Sequence, residues 1–143
     1  MDVNREDAKI AKAGRNEPSA DVDAVCHSVI GAALDVHRVL GPGFLESVYE
    51  EALCIELTLR GIRFGRQVPI GVAYKGQTVG EGRVDILVEE CLVVELKATE
   101  KIAPIHVAQV ISYLKATKLT LGLLITFNVT VLRSGIKRVI QTP

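Results

Sequence analysis

Three charged side chains on two neighbouring predicted strands are the residues of this sequence best suited to catalysis. Asp85 lies within the apolar run 84–88, and Glu95 and Lys97 end the run 92–97. Because side chains alternate along a strand, Glu95 and Lys97 share one face. Carboxylates from adjacent strands can share a hard divalent cation such as Mg²⁺, and a nearby lysine can reach the attacking water or a phosphate. The set therefore predicts metal-assisted hydrolysis of a phosphodiester.

The connection between these two strands decides whether the two carboxylates meet. In an antiparallel pair, residues directly opposite each other share a face. A two-residue turn at 89–90 would pair Asp85 with Val94 and put the carboxylates on opposite faces. A three-residue connection, or a bulge, pairs Asp85 with Glu95 instead. The metal hypothesis therefore predicts a three-residue connection or an equivalent bulge.

Two motifs resemble those of a known group of nucleases. The spacing of Asp85 and the tripeptide Glu95-Leu96-Lys97 is similar to the D…E-x-K signature of the PD-(D/E)xK nuclease superfamily. The segment 43–49 (GFLESVY) matches the Gly-x-x-Glu-x-x-Tyr motif of the GxxExxY family, small bacterial and archaeal proteins of that superfamily. The resemblance extends from about residue 22 to residue 140. Val84 stands where the superfamily name has proline, a position that supplies no ligand.

This resemblance implies a set of metal ligands and a catalytic lysine. Asp85 and Glu95 would bind Mg²⁺ or Mn²⁺, and Lys97 would assist the water. An acid from the first core helix often completes the metal shell through water in related nucleases, and Glu46 is the matching position. Glu46 can equally be interpreted as a first-turn acid that the helix N-terminus favours. Tyr49 falls on the apolar stripe of the same helix and is interpreted as a core residue with a bonded hydroxyl.

A later predicted helix carries a further pair of candidate residues. His106, Gln109 and Tyr113 lie at positions i, i+3 and i+7, so they fall on one helical face. Gln109 and Tyr113 resemble a Gln-x-x-x-Tyr helix of one nuclease branch, where these residues orient substrate or metal-site groups. The resemblance therefore implies that both residues support the site.

Periodicity along the chain predicts elements of an α/β domain. The first helix is predicted to begin between residues 19 and 21 and to end at the break over 40–43. Further helices are predicted over 45–60, with Leu45 and Val48 on the apolar stripe, and over 104–117. Strands are predicted over 62–74, with the even positions through Tyr74 on the buried face, and over 78–88, 92–97, 121–127 and 131–133. A meander followed by a crossover helix implies a mixed β-sheet of about five strands flanked by helices, the restriction-endonuclease-like core that the resemblance also implies. Residues 1–18 are polar and rich in breakers, which predicts a disordered leader before a nuclease-like domain over 19–143.

The composition limits how this protein can bind nucleic acid. Its 143 residues include 17 basic and 17 acidic side chains, so the formal net charge is zero. Binding through bulk positive charge is therefore disfavoured, and any contact with DNA or RNA must be local. Three widely spaced cysteines predict buried thiols in a reducing compartment. Because no apolar run reaches membrane-spanning length, we expect a cytoplasmic protein with no membrane partner.

Three functions remain open from the sequence. The first is a divalent-metal-dependent nuclease that acts on DNA or RNA. The second is a catalytically silent nuclease-fold module for binding or assembly, which the zero net charge favours. The third is a small-molecule phosphohydrolase that turns over nucleotides but not polymers. A homodimer is expected from the small size and the resemblance, since small nucleases of this fold often need two copies to span a duplex.

Overall fold

The computed structural model describes residues 18–142, so nearly all of the expected leader at 1–18 lies outside the described residues. The described chain folds into helices and strands with these bounds: α1 (Ala20–Leu40), α2 (Glu46–Leu59), β1 (Phe64–Tyr74), β2 (Gln77–Val88), β3 (Leu92–Lys97), α3 (Pro104–Thr117), β4 (Leu121–Thr126), a 3-10 helix (Leu132–Gly135) and β5 (Ile136–Ile140). Within this range, none of the helices combines the length and hydropathy that a bilayer crossing requires.

The strands form one mixed sheet in the order β1-β2-β3-β4-β5. β3 and β4 are parallel, and the other neighbouring strands are antiparallel. α3 is the crossover that joins the two parallel strands, because a parallel pair cannot be closed by a short turn. The predicted α/β fold, with about five strands in a mixed sheet and flanking helices, is confirmed.

The sheet is covered on both faces by helices. α1 and α2 pack on one face around a cluster that includes Leu53, Leu96 and Leu123. α3 packs on the other face, where Val110 and Leu114 meet the side chains of the central strands. This burial on both faces explains why β4 is continuously apolar over residues 121–125.

Tyr49 anchors the loop that leads into α2. Its side chain is fully buried, and its ring stacks on that of Phe127 with 4.5 Å between centroids. The hydroxyl donates to the carbonyl oxygen of Gly41 at 2.6 Å and accepts from the backbone N–H of Phe44 at 3.1 Å. The interpretation of Tyr49 as a core residue with a bonded hydroxyl is confirmed, and its bonds position the first turn of α2, which carries Glu46.

Removing this hydroxyl should destabilise the protein. Tyr49→Phe keeps the stacked ring but leaves the Gly41 carbonyl and the Phe44 N–H without their partner, so we expect the free energy of unfolding to fall by about 1–3 kcal/mol. Urea denaturation measures the change. Tyr74→Phe is the matched control, since Tyr74 is 62% exposed. Equal stability of the two variants would contradict this role for the hydroxyl.

Two sequence predictions on α2 and β1 are wrong in their details. Leu45 and Val48 were expected on the buried stripe, but their exposed fractions are 75% and 37%. The helix buries the i, i+4, i+8 row that contains Tyr49 and Leu57, and Leu45 precedes the first helical turn. At the end of β1, Tyr74 is also exposed, because the β1-β2 hairpin extends beyond the helices that cover the rest of the sheet.

The predicted last strand over 131–133 is also wrong. The chain there enters the 3-10 helix, and the strand follows at Ile136–Ile140. Both the backbone N–H and the hydroxyl of Ser134 donate to the carbonyl oxygen of Val131, which closes a turn. Gly135 then passes so close to the carbonyl oxygen of Thr126 that a Cβ atom would clash with it. The local turn and the close approach to β4 together override the β propensity of Val131 and Leu132.

Candidate active site

The connection between β2 and β3 has the length that the metal hypothesis predicts. The antiparallel ladder pairs Val88 with Leu92 and Ile86 with Val94, which leaves residues 89–91 as a three-residue connection. Glu89 and Glu90 both adopt positive φ angles, 49° and 55°, to make this turn. The expected register is therefore confirmed, and the next opposed positions are those of Asp85 and Glu95.

β2 and β3 separate where these two carboxylates lie. The backbone N–H of Asp85 donates to Oε1 of Glu95 at 2.9 Å, and the backbone N–H of Leu96 donates to Oδ2 of Asp85 at 2.9 Å. The two side chains thus take the place of ladder hydrogen bonds. Beyond this point β3 stays paired with β4 as far as Lys97, whereas β2 stays paired with β1. The carboxylates therefore bridge a split in the sheet.

An irregularity in β1 brings an amide to the same split. Gln67 has a φ angle of 49° and is skipped in the ladder between β1 and β2. Its amide nitrogen donates to Oε1 of Glu50 at 2.9 Å and to Oδ1 of Asp85 at 3.3 Å. The sequence analysis missed both residues. The available signals were the one-turn spacing of Glu50 from Glu46 and the polar Arg66-Gln67 step that interrupts the alternation of β1.

Lys97 is held by Gln109 of α3, which in turn bonds to Tyr113 of the same helix. Its Nζ donates to Oε1 of Gln109 at 2.9 Å, and Nε2 of Gln109 donates to the hydroxyl of Tyr113 at 3.1 Å. The Tyr113 ring packs against Gly82 of β2, where a Cβ atom would lie 3.0 Å from ring carbon Cε1. Gln109 therefore contacts Lys97 directly, and Tyr113 contacts Gln109. The structure describes no hydrogen bond from either residue to Asp85 or Glu95.

His106, from the same helical face, has a local role. Its Nδ1 accepts a hydrogen bond from the backbone N–H of Ala103 at 3.0 Å, which satisfies a backbone donor just before α3. Its ring also lines a groove of about 440 Å³ together with Lys97, Gln109 and Ser112. Apart from Lys97, all residues that line this groove belong to α3.

Negative charge accumulates around the split. Glu95 is only 3% exposed, and burial, followed by the charge of Asp85, raises its pKa to about 8. Burial and the charge of Asp85 also raise the pKa of Glu46, while Lys97 and the backbone N–H of Ala98 act in the opposite direction. Glu46 therefore lies within electrostatic range of both Asp85 and Lys97.

These residues suit a hard divalent cation held by two protein carboxylates. Mg²⁺ typically binds through one or two carboxylates, retained waters and substrate phosphate oxygens. Burial first, and then the charge of Asp85, raises the pKa of Glu95 and of Glu46, and a bound cation would favour the ionised form of both carboxyl groups. Within residues 18–142, no three His, Cys, Asp or Glu side chains form a group that could hold a metal ion together. Glu46 as a third ligand therefore stays a prediction.

Comparison with known protein families agrees with this geometry. The family model of the PD-(D/E)XK nuclease superfamily matches residues 23–139, from the first turn of α1 to the last strand. Comparison with curated proteins gives no significant match. Comparison with solved structures likewise gives none. Because the family model spans well over half of the sequence, this chain belongs to the PD-(D/E)XK nuclease superfamily.

Proposed function

We propose that the protein is a divalent-metal-dependent nuclease that hydrolyses phosphodiester bonds of DNA or RNA at the split between β2 and β3. The observation that carries the proposal is the joint placement of Asp85, Glu95 and Lys97, with Lys97 held by Gln109. Membership of the superfamily supports it. The Gly-x-x-Glu-x-x-Tyr segment at 43–49 supports the finer assignment to the GxxExxY family.

The two bridging carboxylates would hold Mg²⁺ or Mn²⁺. One oxygen of each accepts a backbone hydrogen bond across the split, namely Oε1 of Glu95 and Oδ2 of Asp85. Asp85 and Glu95 would be the ligands, and Glu46 would contribute through water. When bound, such an ion neutralises charge that develops on the phosphate and lowers the pKa of the attacking water.

Lys97 would supply a positively charged side chain next to the reacting phosphate. Its ammonium group has three donors, and Gln109 takes one of them, which leaves donors for a phosphate oxygen or the attacking water. Gln109 is a positioning residue, since its bond to Lys97 fixes the direction of the ammonium group. Tyr113 extends this chain, because its hydroxyl accepts a hydrogen bond from Nε2 of Gln109.

A catalytically silent module is the second candidate. Two observations favour it. Each of the two side chains already accepts a backbone hydrogen bond from the opposite strand, Glu95 from β2 and Asp85 from β3. In addition, the pKa of Glu95 is raised to about 8, which favours the protonated form of its carboxyl group near neutral pH. A site of this kind is stable without a cation. The two candidates differ in whether metal binds and whether cleavage follows.

Cleavage of nucleic acid tests the nuclease proposal directly. Labelled single- and double-stranded DNA and RNA are incubated with Mg²⁺, Mn²⁺ or EDTA. We expect cleavage that needs the metal and is lost in Asp85→Asn. Folded protein that leaves every polymer intact would overturn the proposal, and turnover of nucleotides or phosphodiester dyes alone would assign the site to a small-molecule phosphohydrolase.

Metal binding should appear as a gain in thermal stability. A ligand that binds only the folded state raises the free energy of unfolding, by about 2.7 kcal/mol when its concentration is 100 times Kd. We expect Mn²⁺ to raise the Tm of the wild-type protein relative to EDTA and to leave the Tm of Asp85→Asn unchanged. Glu81→Gln is the matched control, an exposed acid on the same strand that should respond like the wild type. Equal responses of all three proteins would contradict metal binding at the split.

A further inference from the structure

The zero net charge of the chain conceals a strong separation of charge along the sequence. All 17 acidic residues and 11 of the 17 basic residues precede position 101. Residues 101–143 contain six basic residues and no acidic residue. The two parts therefore carry formal charges of −6 and +6. Charge asymmetry of this kind indicates a region that contacts a polyanion, and the basic region comprises α3, β4, the 3-10 helix and β5.

Among residues 18–142, acidic side chains pair with several cations before position 101 but with only one cation after it. Arg60, Arg63 and Arg66 each pair with acidic side chains. After position 101, Arg138 alone forms an ion pair within residues 18–142. Lys101 and Lys137 are exposed, and neither pairs with an acidic residue of that range. Their charges are therefore available to an external anion.

Lys101 and Lys137 line the same cavity. Its volume is about 680 Å³, and it lies beyond the carboxyl ends of the parallel strands β3 and β4, against the start of α3. In α/β sheets, ligands bind in the crevice outside the carboxyl ends of the strands. Ser134 adds a hydroxyl, Glu100 is the one acid on the wall, and apolar side chains such as Ile102 complete the lining.

The first turn of α3 connects this cavity to the proposed active site. Pro104 and Val107 line the cavity, whereas Ile105 and His106 line the groove that begins at Lys97. A strand bound at the split and continuing along the groove would therefore reach the two lysines after crossing one helical turn. Polar and apolar lining together suit a nucleotide, whose phosphate is anionic and whose base is largely apolar.

We propose that the cavity between Lys101 and Lys137 binds a backbone phosphate of the nucleic-acid strand that enters the active site. The inference rests on the proposed function, since it takes a nucleic-acid strand as the ligand. Two lysines contact the phosphate oxygens, and the apolar wall contacts the attached nucleoside. The site holds the strand in register with the carboxylates but takes no part in bond cleavage.

Salt-dependent binding tests this site. A fluorescein-labelled single-stranded oligonucleotide of about 20 nucleotides is titrated in EDTA, and fluorescence anisotropy gives Kd over a range of salt concentrations. Each lost phosphate contact lowers the slope of log K against log salt by about 0.7 for a single strand. We therefore expect the double variant Lys101→Ala/Lys137→Ala to bind about 10-fold more weakly, with a slope lower by about 0.7, because the site holds one phosphate.

A second double variant controls for net charge. Lys75→Ala/Lys115→Ala removes the same charge from the hairpin turn and from the last turn of α3, and its slope should match the wild type. Equal losses in both double variants would overturn the site. A competition experiment adds a free nucleoside monophosphate to the complex. If it displaces the labelled oligonucleotide as well as an unlabelled oligonucleotide does at the same phosphate concentration, the cavity is a site for free nucleotides and the proposal is overturned.

Failure of this inference can be told apart from failure of the proposed function, because binding in EDTA does not depend on cleavage. A wild-type protein that cleaves, with a lysine variant that binds normally, overturns the phosphate site and leaves the nuclease proposal standing. Selective loss of binding in Lys101→Ala/Lys137→Ala, with no cleavage by the wild type under any metal, supports the site and overturns the nuclease proposal. A wild type with no affinity for the oligonucleotide overturns the inference.

Discussion

Lys97→Met is expected to lower metal-dependent cleavage by about 100-fold or more while the protein stays folded. Methionine keeps an unbranched side chain of similar length but removes the ammonium group that Gln109 directs towards the split. Removing one preorganised donor that stabilises transition-state charge typically costs about 100- to 1,000-fold in rate. Single-turnover cleavage of a labelled oligonucleotide gives the rate. Lys75→Met, in the hairpin turn, is the control, and unchanged cleavage by Lys97→Met would contradict the assigned role.

Variants of Gln109 separate positioning from packing. Gln109→Leu leaves Lys97 without its acceptor, so cleavage should fall by about 10- to 100-fold through misplacement of the ammonium group. Gln109→Glu restores an acceptor at Oε1 and should recover cleavage above the level of the leucine variant. If leucine and glutamate variants cleave equally, the hydrogen bond to Lys97 does not act through orientation.

At pH 8.5, Glu95→Gln is expected to raise the free energy of unfolding by about 2–4 kcal/mol, as each unit of pKa shift corresponds to about 1.4 kcal/mol. In the folded protein, burial and the charge of Asp85 raise the pKa of Glu95 from 4.5 to about 8. Between these pH values the folded state keeps a proton that the unfolded chain has released, so stability falls as the pH rises through this window. Glutamine cannot ionise and still offers a carbonyl oxygen to the N–H of Asp85.

Urea denaturation in EDTA at about pH 5 and pH 8.5 measures this difference. The gain from Glu95→Gln should be small at pH 5 and close to its full value at pH 8.5. Glu81→Gln, an exposed acid, should show no such gain. The stabilised Glu95→Gln variant should also lose its response to Mn²⁺, because metal binding needs the ionised carboxylate. A gain that is equal at both pH values would contradict burial of an ionisable Glu95.

The central elements of the fold follow from local rules that can be read along the chain. The predicted bounds of β3 and α3 agree with the structure, because the short apolar run that begins at residue 92 and Pro104 at a helix start are strong local signals. The three-residue connection between β2 and β3 could be deduced because the pairing register follows from loop length. The motif around Asp85, Glu95 and Lys97 likewise identified the superfamily.

Local rules were insufficient where distant contacts decide the conformation. Gln67 leaves the ladder and bonds to Glu50 and Asp85, which lie 17 and 18 positions away, so no local pattern reports this arrangement. Leu45 fits an apolar helical stripe but lies just before α2, on a side that no other described element covers. Its exposure depends on how α2 packs on α1 and the sheet.

The sequence by itself determined which segments form helices and strands, and the order of these segments determined the fold class. It also determined the candidate residues Asp85, Glu95 and Lys97 through their types and spacing. Only the tertiary structure decided that β2 and β3 separate at the carboxylates, that Gln109 orients Lys97, and that Glu95 is buried. Periodicity and capping are properties of neighbouring residues, so they are present in the sequence. The split, the lysine's hydrogen bond and the shifted pKa arise from desolvation and contacts between distant segments, which exist only once the chain has packed.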